Sequence, residues 1–251
     1  MNRTDYIFGL RPIIEALDAG RTIDKLMLKK DLQGEAAAEL LELARAHKVP
    51  VQRVPVERLN RITMKNHQGA IALLAAIDYY PLDNLVPELF EQGGVPLIVA
   101  LDGITDVRNF GAIARTCECA GVDAIILPQQ ESVSVTADAV KTSAGALMHI
   151  PVCRVPNLYL AVRQLKDSGC RIISTSDKGA TRYTEIDFTL PTVIVMGAED
   201  KGVSDGITRI CDAYASIPEF GHINSLNVSV ATGIMVYEAV RQRLNENFSM
   251  Q

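Results

Sequence analysis

The stretch Leu97-Ile-Val-Ala-Leu101 decides the fold, because it is apolar throughout and is followed at once by the polar pair Asp102-Gly103. Val193-Ile-Val-Met196 repeats this character and is followed by Gly197. A strand that is apolar on both sides is typical of a parallel sheet with both faces covered. Segments with helical spacing of apolar residues, such as Phe110–Ala120, alternate with these strands. The pattern predicts an α/β domain built on a parallel sheet.

A smaller block of strands and helices precedes this domain. Ile23–Leu28 and Gly69–Ile77 are predicted strands, and Glu35–Ala46 is a predicted amphipathic helix. Prolines and glycines then recur between Tyr79 and Pro96, which is typical of a linker. We therefore predict four segments, which are a small α/β domain (residues 1–80), a linker (81–96), a larger α/β domain (97–245) and a tail (246–251).

Charge is distributed unevenly along the chain. The whole sequence has 25 basic and 30 acidic residues, a net charge of −5, so its bulk composition gives no sign of a nucleic-acid partner. Residues 1–80 carry 12 basic and 10 acidic residues, a net of +2, which leaves 13 basic and 20 acidic residues, a net of −7, for residues 81–251. If the chain binds a polyanion, we expect the first third to recruit it.

The cysteines and the apolar runs exclude further classes of protein. Five cysteines without a Cys-x-x-Cys pair argue against a disulfide framework and a structural zinc site, so we predict reduced thiols, no metal and a cytoplasmic location. The longest apolar run, Ala70–Ile77, is far shorter than the roughly 20 residues of a membrane helix. The N-terminus also lacks the apolar region of a secretion signal, and we predict no membrane partner.

Polar residues follow the predicted strands of the larger domain at the edge where parallel sheets bind ligands. The first such turn contains Asn109 and, six residues later, Arg115. The second contains Gly197, Glu199 and Gly202. Each feature alone also fits an ordinary role, because Asn109 is a good helix cap and glycines are common in turns.

The third polar turn lies between Ile217 and Gly233, where an extended segment passes into a helix. Asn224, Ser225 and Asn227 stand together there, just before apolar residues with helical spacing. Such side chains accept hydrogen bonds from the free N–H groups at a helix start, so an N-cap is the simplest interpretation. The same chemistry suits a ligand site, and this stretch alone leaves both interpretations open.

Together the three turns resemble the signature motifs of the SpoU (TrmH-like) group of SPOUT RNA methyltransferases. These motifs are Asn109 with Arg115, Gly197-x-Glu199-x-x-Gly202, and Ile217-Pro with Ser225-Leu-Asn227-Val-Ser. In addition, Ile7-Phe-Gly9-Leu-Arg-Pro-Ile-Ile-Glu-Ala-Leu17 and His67-Gln-Gly69 resemble the substrate-binding domain of some members. Within the group, the chain is most similar to the bacterial enzymes that methylate a guanosine 2′-oxygen of 23S rRNA, and it departs from their pattern at Glu219 and His222.

The resemblance implies a fold that the hydrophobic pattern does not predict. Alternating strands and helices predict an unknotted, doubly wound sheet, since threaded chains are rare. Members of this group are homodimers, and they pass the C-terminal segment, here Ile217–Asn227, through a loop to form a deep trefoil knot that holds S-adenosylmethionine. The implied cofactor contacts in this sequence are Gly197, Ile217 and Leu226, with Met196 and Thr175 as weaker candidates.

The resemblance also implies S-adenosylmethionine-dependent methylation of a ribose 2′-hydroxyl in RNA, with Arg115 as the catalytic residue. A guanidinium donates hydrogen bonds and does not accept them. We therefore expect Arg115 to orient a phosphate or the attacking hydroxyl and to stabilise negative charge, and to act as a base only if it loses its proton. The residues implied to position Arg115 and the ribose are Asn109, Glu199, Ser225 and Asn227. The candidate contacts of the first domain to RNA phosphates are Lys25, Lys29 and Lys30.

Three other functions stay open on the sequence. The first is a ribose methyltransferase of the same family that acts on tRNA or on another rRNA site. The second is a non-catalytic RNA-binding factor in ribosome assembly, which the intact set of motif residues disfavours. The third is an ordinary nucleotide-binding α/β enzyme, which is disfavoured because the turn at Gly197 is neither Gly-x-Gly-x-x-Gly nor a P-loop.

Overall fold

A computed structural model of the chain describes residues 6–175, 181–222 and 225–249. The chain divides into two compact units. Unit 1 comprises Met1–Asp78 and Ser134–Val140, and unit 2 comprises Tyr79–Val133 and Lys141–Gln251. Within the described ranges, no helix has both the length and the apolar character that crossing a membrane requires.

Unit 1 is built on a mixed four-stranded sheet. Its N-terminal part contains, in chain order, β1 (Tyr6–Phe8), α1 (Leu10–Asp18), β2 (Ile23–Lys29), α2 (Glu35–Ala46), β3 (Val51–Val54), α3 (Val56–Asn60) and β4 (Ala70–Leu74). The strand order is β1-β4-β2-β3. Strands β2 and β3 run parallel, whereas β4 runs antiparallel to both of its neighbours.

Both faces of this sheet are covered, which explains why β2 is apolar at consecutive positions. On one face, Leu26 and Leu28 pack with α1 and α2 around the buried Ile13. On the other face, Met27 packs with the buried Leu59 of α3. Successive residues of a strand point to opposite faces, so β2 contributes to two separate cores.

A segment from much later in the chain completes unit 1. The backbone N–H of Val135 donates to Asp24 Oδ1 at 3.2 Å, and the carbonyl of Val135 accepts from Ala76 N at 2.9 Å. The carboxylate of Asp24 is fully buried in β2. The predicted first domain, residues 1–80, does not include this segment. A contact between residues 111 positions apart leaves no local pattern in the sequence.

Unit 2 is built on a parallel sheet. From Tyr79 onward the described strands and α-helices are α4 (Leu82–Glu91), β5 (Leu97–Asp102), α5 (Val107–Cys119), β6 (Ala124–Pro128), α6 (Ala137–Thr142), β7 (Val152–Val155), α7 (Leu158–Asp167), β8 (Arg171–Thr175), β9 (Thr181–Arg182), β10 (Thr192–Gly197), α8 (Asp205–Thr208), β11 (Ala213–Ser216) and α9 (Val228–Ser249). Most of α6, residues 137–140, belongs to unit 1. In the described part of the chain the strand order is β7-β6-β5-β10-β8-β11-β9, and every neighbouring pair is parallel. The predicted parallel sheet is therefore confirmed.

Helices cover this sheet on both faces. On one face the core includes Ile98 of β5 and Val162 of α7. The segment that resembles a linker in composition also contributes to this core, since Leu85 of α4 is buried in it. On the other face α5 packs against α9, where Gly233 lies close to Thr116 and a Cβ atom added at Gly233 would be 3.6 Å from Thr116 Cγ2.

The spacing of apolar residues predicts two further helices, Thr136–Leu147 and Val228–Arg243, which differ in extent from those observed. The predicted helix Thr136–Leu147 ends at Thr142, because Ala144 and Gly145 both have positive φ angles, 52° and 89°. A left-handed pair of this kind terminates a helix. The last helix, predicted to end at Arg243, runs on to Ser249 and so into the predicted tail.

The strand register aligns the three polar turns along one edge of the sheet. Gly197 at the end of β10 is paired with Asp102 at the end of β5, and Ala215 of β11 is paired with Thr175 at the end of β8. Helix α5 begins shortly after β5, and α9 begins after β11. This carboxyl edge is where parallel α/β folds place their ligands.

Candidate active site

Side chains from all three polar turns meet in one hydrogen-bonded cluster at the carboxyl edge of unit 2. Asn227 Nδ2 donates to Asn109 Oδ1 at 2.9 Å and to Glu199 Oε1 at 2.8 Å. Asn109 Nδ2 also donates to Glu199 Oε1, at 3.4 Å. Asn227 is 118 positions from Asn109 and 28 from Glu199, so only the tertiary fold brings the three motifs together.

The cluster is also the starting point of α9. The backbone N–H of Val228 donates to Glu199 Oε1 at 3.1 Å, and the backbone N–H of Ser229 donates to Asn227 Oδ1 at 3.0 Å. A carboxylate is stabilised at a helix N-terminus, because the free N–H groups and the helix dipole are positive there. Asn227 thus caps α9, as its residue type indicates, while its amide nitrogen binds the other two motifs.

The cap of α5 is Asp106 and not Asn109, which corrects the interpretation from residue type. Asp106 Oδ1 accepts hydrogen bonds from the backbone N–H groups of Arg108 and Asn109, both at 2.8 Å. The side chain of Asn109 therefore does not cap α5, and it forms hydrogen bonds with Glu199 and Asn227 instead.

Gly197 is required by the fold of its own loop. A Cβ atom at this position would lie 2.1 Å from the carbonyl carbon of Gly202 and 2.2 Å from the nitrogen of Val203. The loop turns back on itself there, since Gly202 N donates to Ala198 O at 2.7 Å and Gly202 has a φ of 67°. The close approach that excludes a side chain at Gly197 is therefore one of backbone to backbone, which is the ordinary role of a glycine in a turn.

Sequence reasoning missed Asp102, which ties the first turn to the second. Asp102 Oδ2 accepts from the backbone N–H of Ser204 at 2.8 Å. The available signal was its position directly after the apolar run that ends at Leu101. The contributions of the Val228 backbone and of Ser229 were missed as well, because a main-chain donor has no signature in sequence.

Arg115 lies on α5 outside this cluster. Its position is about 120° around the helix axis from Asn109. The side chain is exposed, and it forms no hydrogen bond or salt bridge with any residue that the structure describes. The predicted contact of Arg115 with the positioning residues is therefore absent among the described residues, and its guanidinium has all five donors available.

Four of the five candidate cofactor residues lie at or just after the ends of adjacent strands, and the fifth, Leu226, lies just before α9. Thr175 Oγ1 is 4.0 Å from Met196 Sδ, and Met196 is buried at the end of β10. Ile217 is half-buried just after β11, and Leu226 is 37% exposed just before α9. Together with Gly197, they combine main-chain groups with partly exposed apolar surface along one edge.

The remaining predicted site residues fall in different places. Ser225 is exposed and forms no hydrogen bond with a described residue, while Asn224 lies outside the described ranges. The lysines Lys25, Lys29 and Lys30 belong to unit 1, in β2 and just after it, and Lys29 Nζ is 3.2 Å from Asp31 Oδ2. Among the described residues, no group of three or more His, Cys, Asp or Glu side chains is arranged to hold a metal ion.

Two family models match the chain, and together they span both units. One, described as RNA 2′-O ribose methyltransferase substrate binding, matches residues 6–80. The other, the model of the SpoU rRNA methylase family, matches residues 96–237, which is more than half of the chain and contains the whole cluster. The chain belongs to the SpoU rRNA methylase family.

Individual SpoU proteins are similar over nearly the full chain. A Staphylococcus saprophyticus protein assigned to the TrmH family of tRNA/rRNA methyltransferases is 38% identical, over 94% of this chain and 95% of its own length. The AdoMet-bound rRNA methyltransferase of Sinorhizobium meliloti has a TM-score of 0.61 and 30% identity, over 94% of this chain and 87% of its own. The SpoU methyltransferase AviRb of Streptomyces viridochromogenes, solved with AdoMet, has a TM-score of 0.60 and 26% identity, over 96% and 90%.

Proposed function

We propose that this SpoU protein methylates a ribose 2′-hydroxyl in RNA, with S-adenosylmethionine as the methyl donor and a guanosine of 23S rRNA as the substrate. The observation that carries the proposal is the cluster of Asn109, Glu199 and Asn227, which unites the three motifs at the carboxyl edge of a parallel sheet. The family match and the AdoMet-bound relatives support the reaction class.

The residues at this edge fit S-adenosylmethionine. Ile217 and Leu226 leave apolar side chains partly exposed beside the main-chain groups that follow Gly197. We propose that these three residues hold the cofactor, with Met196 and Thr175 behind them, and that Ile217–Asn227 belongs to a trefoil knot. When bound, the cofactor supplies an electrophilic methyl group on a sulfonium.

Arg115 is proposed as the residue that acts on the RNA. Its guanidinium is exposed and uncommitted among the described residues, so it is free to bind a phosphate and to orient the attacking 2′-hydroxyl. It is a donor and not an acceptor, so its contribution is to position the hydroxyl and to stabilise negative charge on the oxygen. Asn109, Glu199 and Asn227 hold the start of α9, and with it Ser225, against the sheet.

The second unit also carries a surface that suits a second copy of this chain. Val230, Tyr237 and Leu244 recur every seven residues on α9 and are 51%, 50% and 53% exposed. This spacing places them on one stripe of the helix, and such a stripe favours helix packing. We propose that this chain forms a homodimer through the stripe, which light scattering of the purified protein would detect as twice the 27.3 kDa chain mass.

The first unit is proposed to bind the RNA substrate, with Lys25, Lys29 and Lys30 as phosphate contacts. The match of residues 6–80 to a substrate-binding model supports this role. Removal of all three charges would weaken RNA binding and reduce its salt dependence, because each phosphate contact releases counterions.

Transfer of a radiolabelled methyl group from S-adenosylmethionine to unmodified 23S rRNA tests the proposed function. We expect labelling of one guanosine 2′-oxygen, with no labelling of tRNA. Labelling of tRNA alone would replace the substrate assignment but keep the reaction. If neither RNA is labelled while the protein still binds 23S rRNA, the chain is a non-catalytic RNA-binding factor and the proposal is wrong.

A further inference from the structure

Two short segments of the N-terminal region are strongly positive, and one of them, residues 52–66, lies outside β2. Residues 52–66 contain four basic residues and one acidic residue, a net of +3. The rest of residues 1–80 contains eight basic and nine acidic residues, a net of −1. Residues 52–66 therefore carry the same net charge of +3 as residues 25–30, which contain Lys25, Lys29 and Lys30, but lie elsewhere in the sequence. Its basic residues are Arg53, Arg58, Arg61 and Lys65.

The second half of this segment forms a loop, residues 61–66, which we call the basic loop. His67 fixes its C-terminal end, since His67 Nδ1 accepts from Gly69 N at 3.0 Å. The ring hydrogen must then be on Nε2, which donates to Asn60 Oδ1 at 2.9 Å and so bridges the two ends of the loop. His67 is only 8% exposed, and Thr63 N is bound to Leu59 O at 3.1 Å. Hydrogen bonds therefore hold both ends of the basic loop in place.

The basic loop presents an unusual combination of side chains to solvent. Arg61 and Lys65 are exposed, and between them Met64 is 85% exposed. Lys65 Nζ lies 5.8 Å from the ring centroid of Phe8, and the guanidinium of Arg61 forms no salt bridge within the described ranges. By contrast, Arg53 is committed to the carbonyl of Lys29 at 3.1 Å. Two of the exposed charges of the segment, Arg61 and Lys65, therefore flank an exposed apolar tip, while the exposed Arg58 lies in α3.

We propose that the basic loop is a second RNA contact of unit 1, distinct from Lys25, Lys29 and Lys30. Arg61 and Lys65 bind successive backbone phosphates, and Met64 packs on the face of an unpaired base between them. Cationic side chains position a nucleic-acid backbone without reading its sequence, whereas an apolar contact requires an accessible base. The thioether of Met adapts to irregular apolar surfaces, which suits such a contact. This inference rests on the proposed function, since it assumes that RNA is the substrate.

The test compares variants of the full chain that differ only on the surface of unit 1. Arg61→Gln with Lys65→Gln removes the two charges of the basic loop, and Met64→Ala removes its tip. The matched control is Arg21→Gln with Arg45→Gln, which removes two exposed charges elsewhere in unit 1. The measurements are the dissociation constant for unmodified 23S rRNA at several salt concentrations, the kinetics of methyl transfer, and S-adenosylmethionine binding by calorimetry.

For the charge variant, we expect about tenfold weaker RNA binding and a log–log salt slope that is lower by about 1.4, which corresponds to two single-strand phosphate contacts. Met64→Ala should weaken binding several-fold without changing the salt slope, because no counterion is released at that contact. In both loop variants we expect the KM for RNA to rise, while kcat and the affinity for S-adenosylmethionine stay at the wild-type level. The control variant should bind as the wild type does.

The inference is overturned if the loop variants bind 23S rRNA with the affinity and salt slope of the control. A loss of methylation on ribosomal subunits with unchanged binding of free rRNA would also overturn it, since the loop would then contact a ribosomal protein. Failure of the proposed function is distinguishable, because in that case the wild-type chain itself transfers no methyl group to RNA.

Discussion

Asn227 Nδ2 donates to Glu199 Oε1 at 2.8 Å, and this bond helps to connect the loop after β10 to the start of the 22-residue helix α9. Glu199 Oε1 accepts two further hydrogen bonds, from Val228 N at 3.1 Å and from Asn109 Nδ2 at 3.4 Å. One carboxylate oxygen therefore fixes both helices that border the proposed site. Its removal should disturb the site more than the fold, because the group is exposed to solvent.

Glu199→Gln tests this arrangement. The amide has the shape of the carboxylate but no charge at the start of α9, so we expect the free energy of unfolding to fall by about 1 kcal/mol. Displacement of Asn109 and α9 should lower kcat/KM by about 100-fold. Asp200→Asn is the control, since it removes the same charge from the neighbouring exposed residue. Equal effects of the two variants on methyl transfer would show that the cluster has no role in activity.

Arg243 should be essential for stability. It lies on α9, and its guanidinium donates to four backbone carbonyls at 2.6 to 3.1 Å. These carbonyls precede β5 and β10, and so lie at the edge of the sheet opposite the proposed site. Arg243→Met removes all four bonds. Pro96 O keeps the hydrogen bond from Thr192 N, and Leu190 O keeps that from Thr192 Oγ1, but Val95 O and Phe188 O lose the donor that the structure shows for them, so we expect a loss of roughly 2–4 kcal/mol in the free energy of unfolding. The four acceptors are Val95, Pro96, Phe188 and Leu190.

Urea unfolding of Arg243→Met and of two control variants would measure these free energies of unfolding and test the prediction. Arg243→Lys should recover only part of the stability, because one ammonium group does not reach four acceptors in this geometry. Arg209→Met changes an exposed arginine and should shift the free energy by less than about 0.5 kcal/mol. If Arg243→Met is as stable as the wild type, the four hydrogen bonds of Arg243 do not stabilise the fold.

Asp212 should make stability depend on pH in the acid range. Burial acts to raise the pKa of Asp212, but the hydrogen bond from Ile172 N at 2.8 Å and the ion pair with Lys166 at 2.6 Å outweigh it, and the pKa lies below its ordinary value of 3.8. A carboxylate whose pKa is lowered by folding stabilises the folded state at pH values above its ordinary pKa. This stabilisation is lost as the pH falls through the pKa of the folded state.

We therefore expect Asp212→Asn to be less stable than the wild type at pH 7, by about 1 kcal/mol because solvent screens this half-exposed pair. The difference should shrink as the pH falls below about 4. Asp167→Asn, which removes an exposed carboxylate 3.9 Å from Arg163, should show little difference at either pH. A constant difference between Asp212→Asn and the wild type would contradict the assignment.

The five cysteines should differ sharply in reactivity. Burial raises the pKa of Cys117 and Cys153 to about 12 and that of Cys170 to about 11, and it also raises the pKa of Cys211. Cys119 alone among them is exposed. At pH 8 we expect an alkylating agent to modify Cys119 first, since the thiolate is the reactive form.

Mass spectrometry would follow this reaction. One adduct should form rapidly on the folded chain, Cys119→Ser should abolish it, and all five thiols should react in denaturant. Modification of Cys117 as fast as Cys119 would show that α5 is not packed as described.

The parallel sheet and the meeting of the motifs were predictable because both follow from local pattern. Apolar strands such as Leu97–Leu101 indicate a covered parallel sheet, and parallel strands bring their carboxyl ends to one edge. Asn109, Glu199 and Asn227 each follow a strand of this sheet, so the rule that places ligands at this edge also predicts their proximity.

The remaining features depend on contacts that leave no local pattern. Asp106 and Asn109 are both residues that cap helices, and only the backbone path decides between them. The four hydrogen bonds of Arg243 were not predictable because their acceptors are backbone carbonyls, which every residue has. The three-residue strand β1 is too short to show an alternating pattern, and the contact of Val135 with Asp24 spans 111 positions.

We propose that this chain methylates one ribose of 23S rRNA and that Arg115 acts in this reaction. The most direct measurement is a map of 2′-O-methylation in 23S rRNA from cells with the gene, without it, and with a gene that encodes Arg115→Ala. We predict that one guanosine methyl group is lost without the gene, is restored by the wild type, and is not restored by Arg115→Ala although that protein still binds S-adenosylmethionine within a few-fold of the wild type. An identical methylation map in all three strains would contradict the claim.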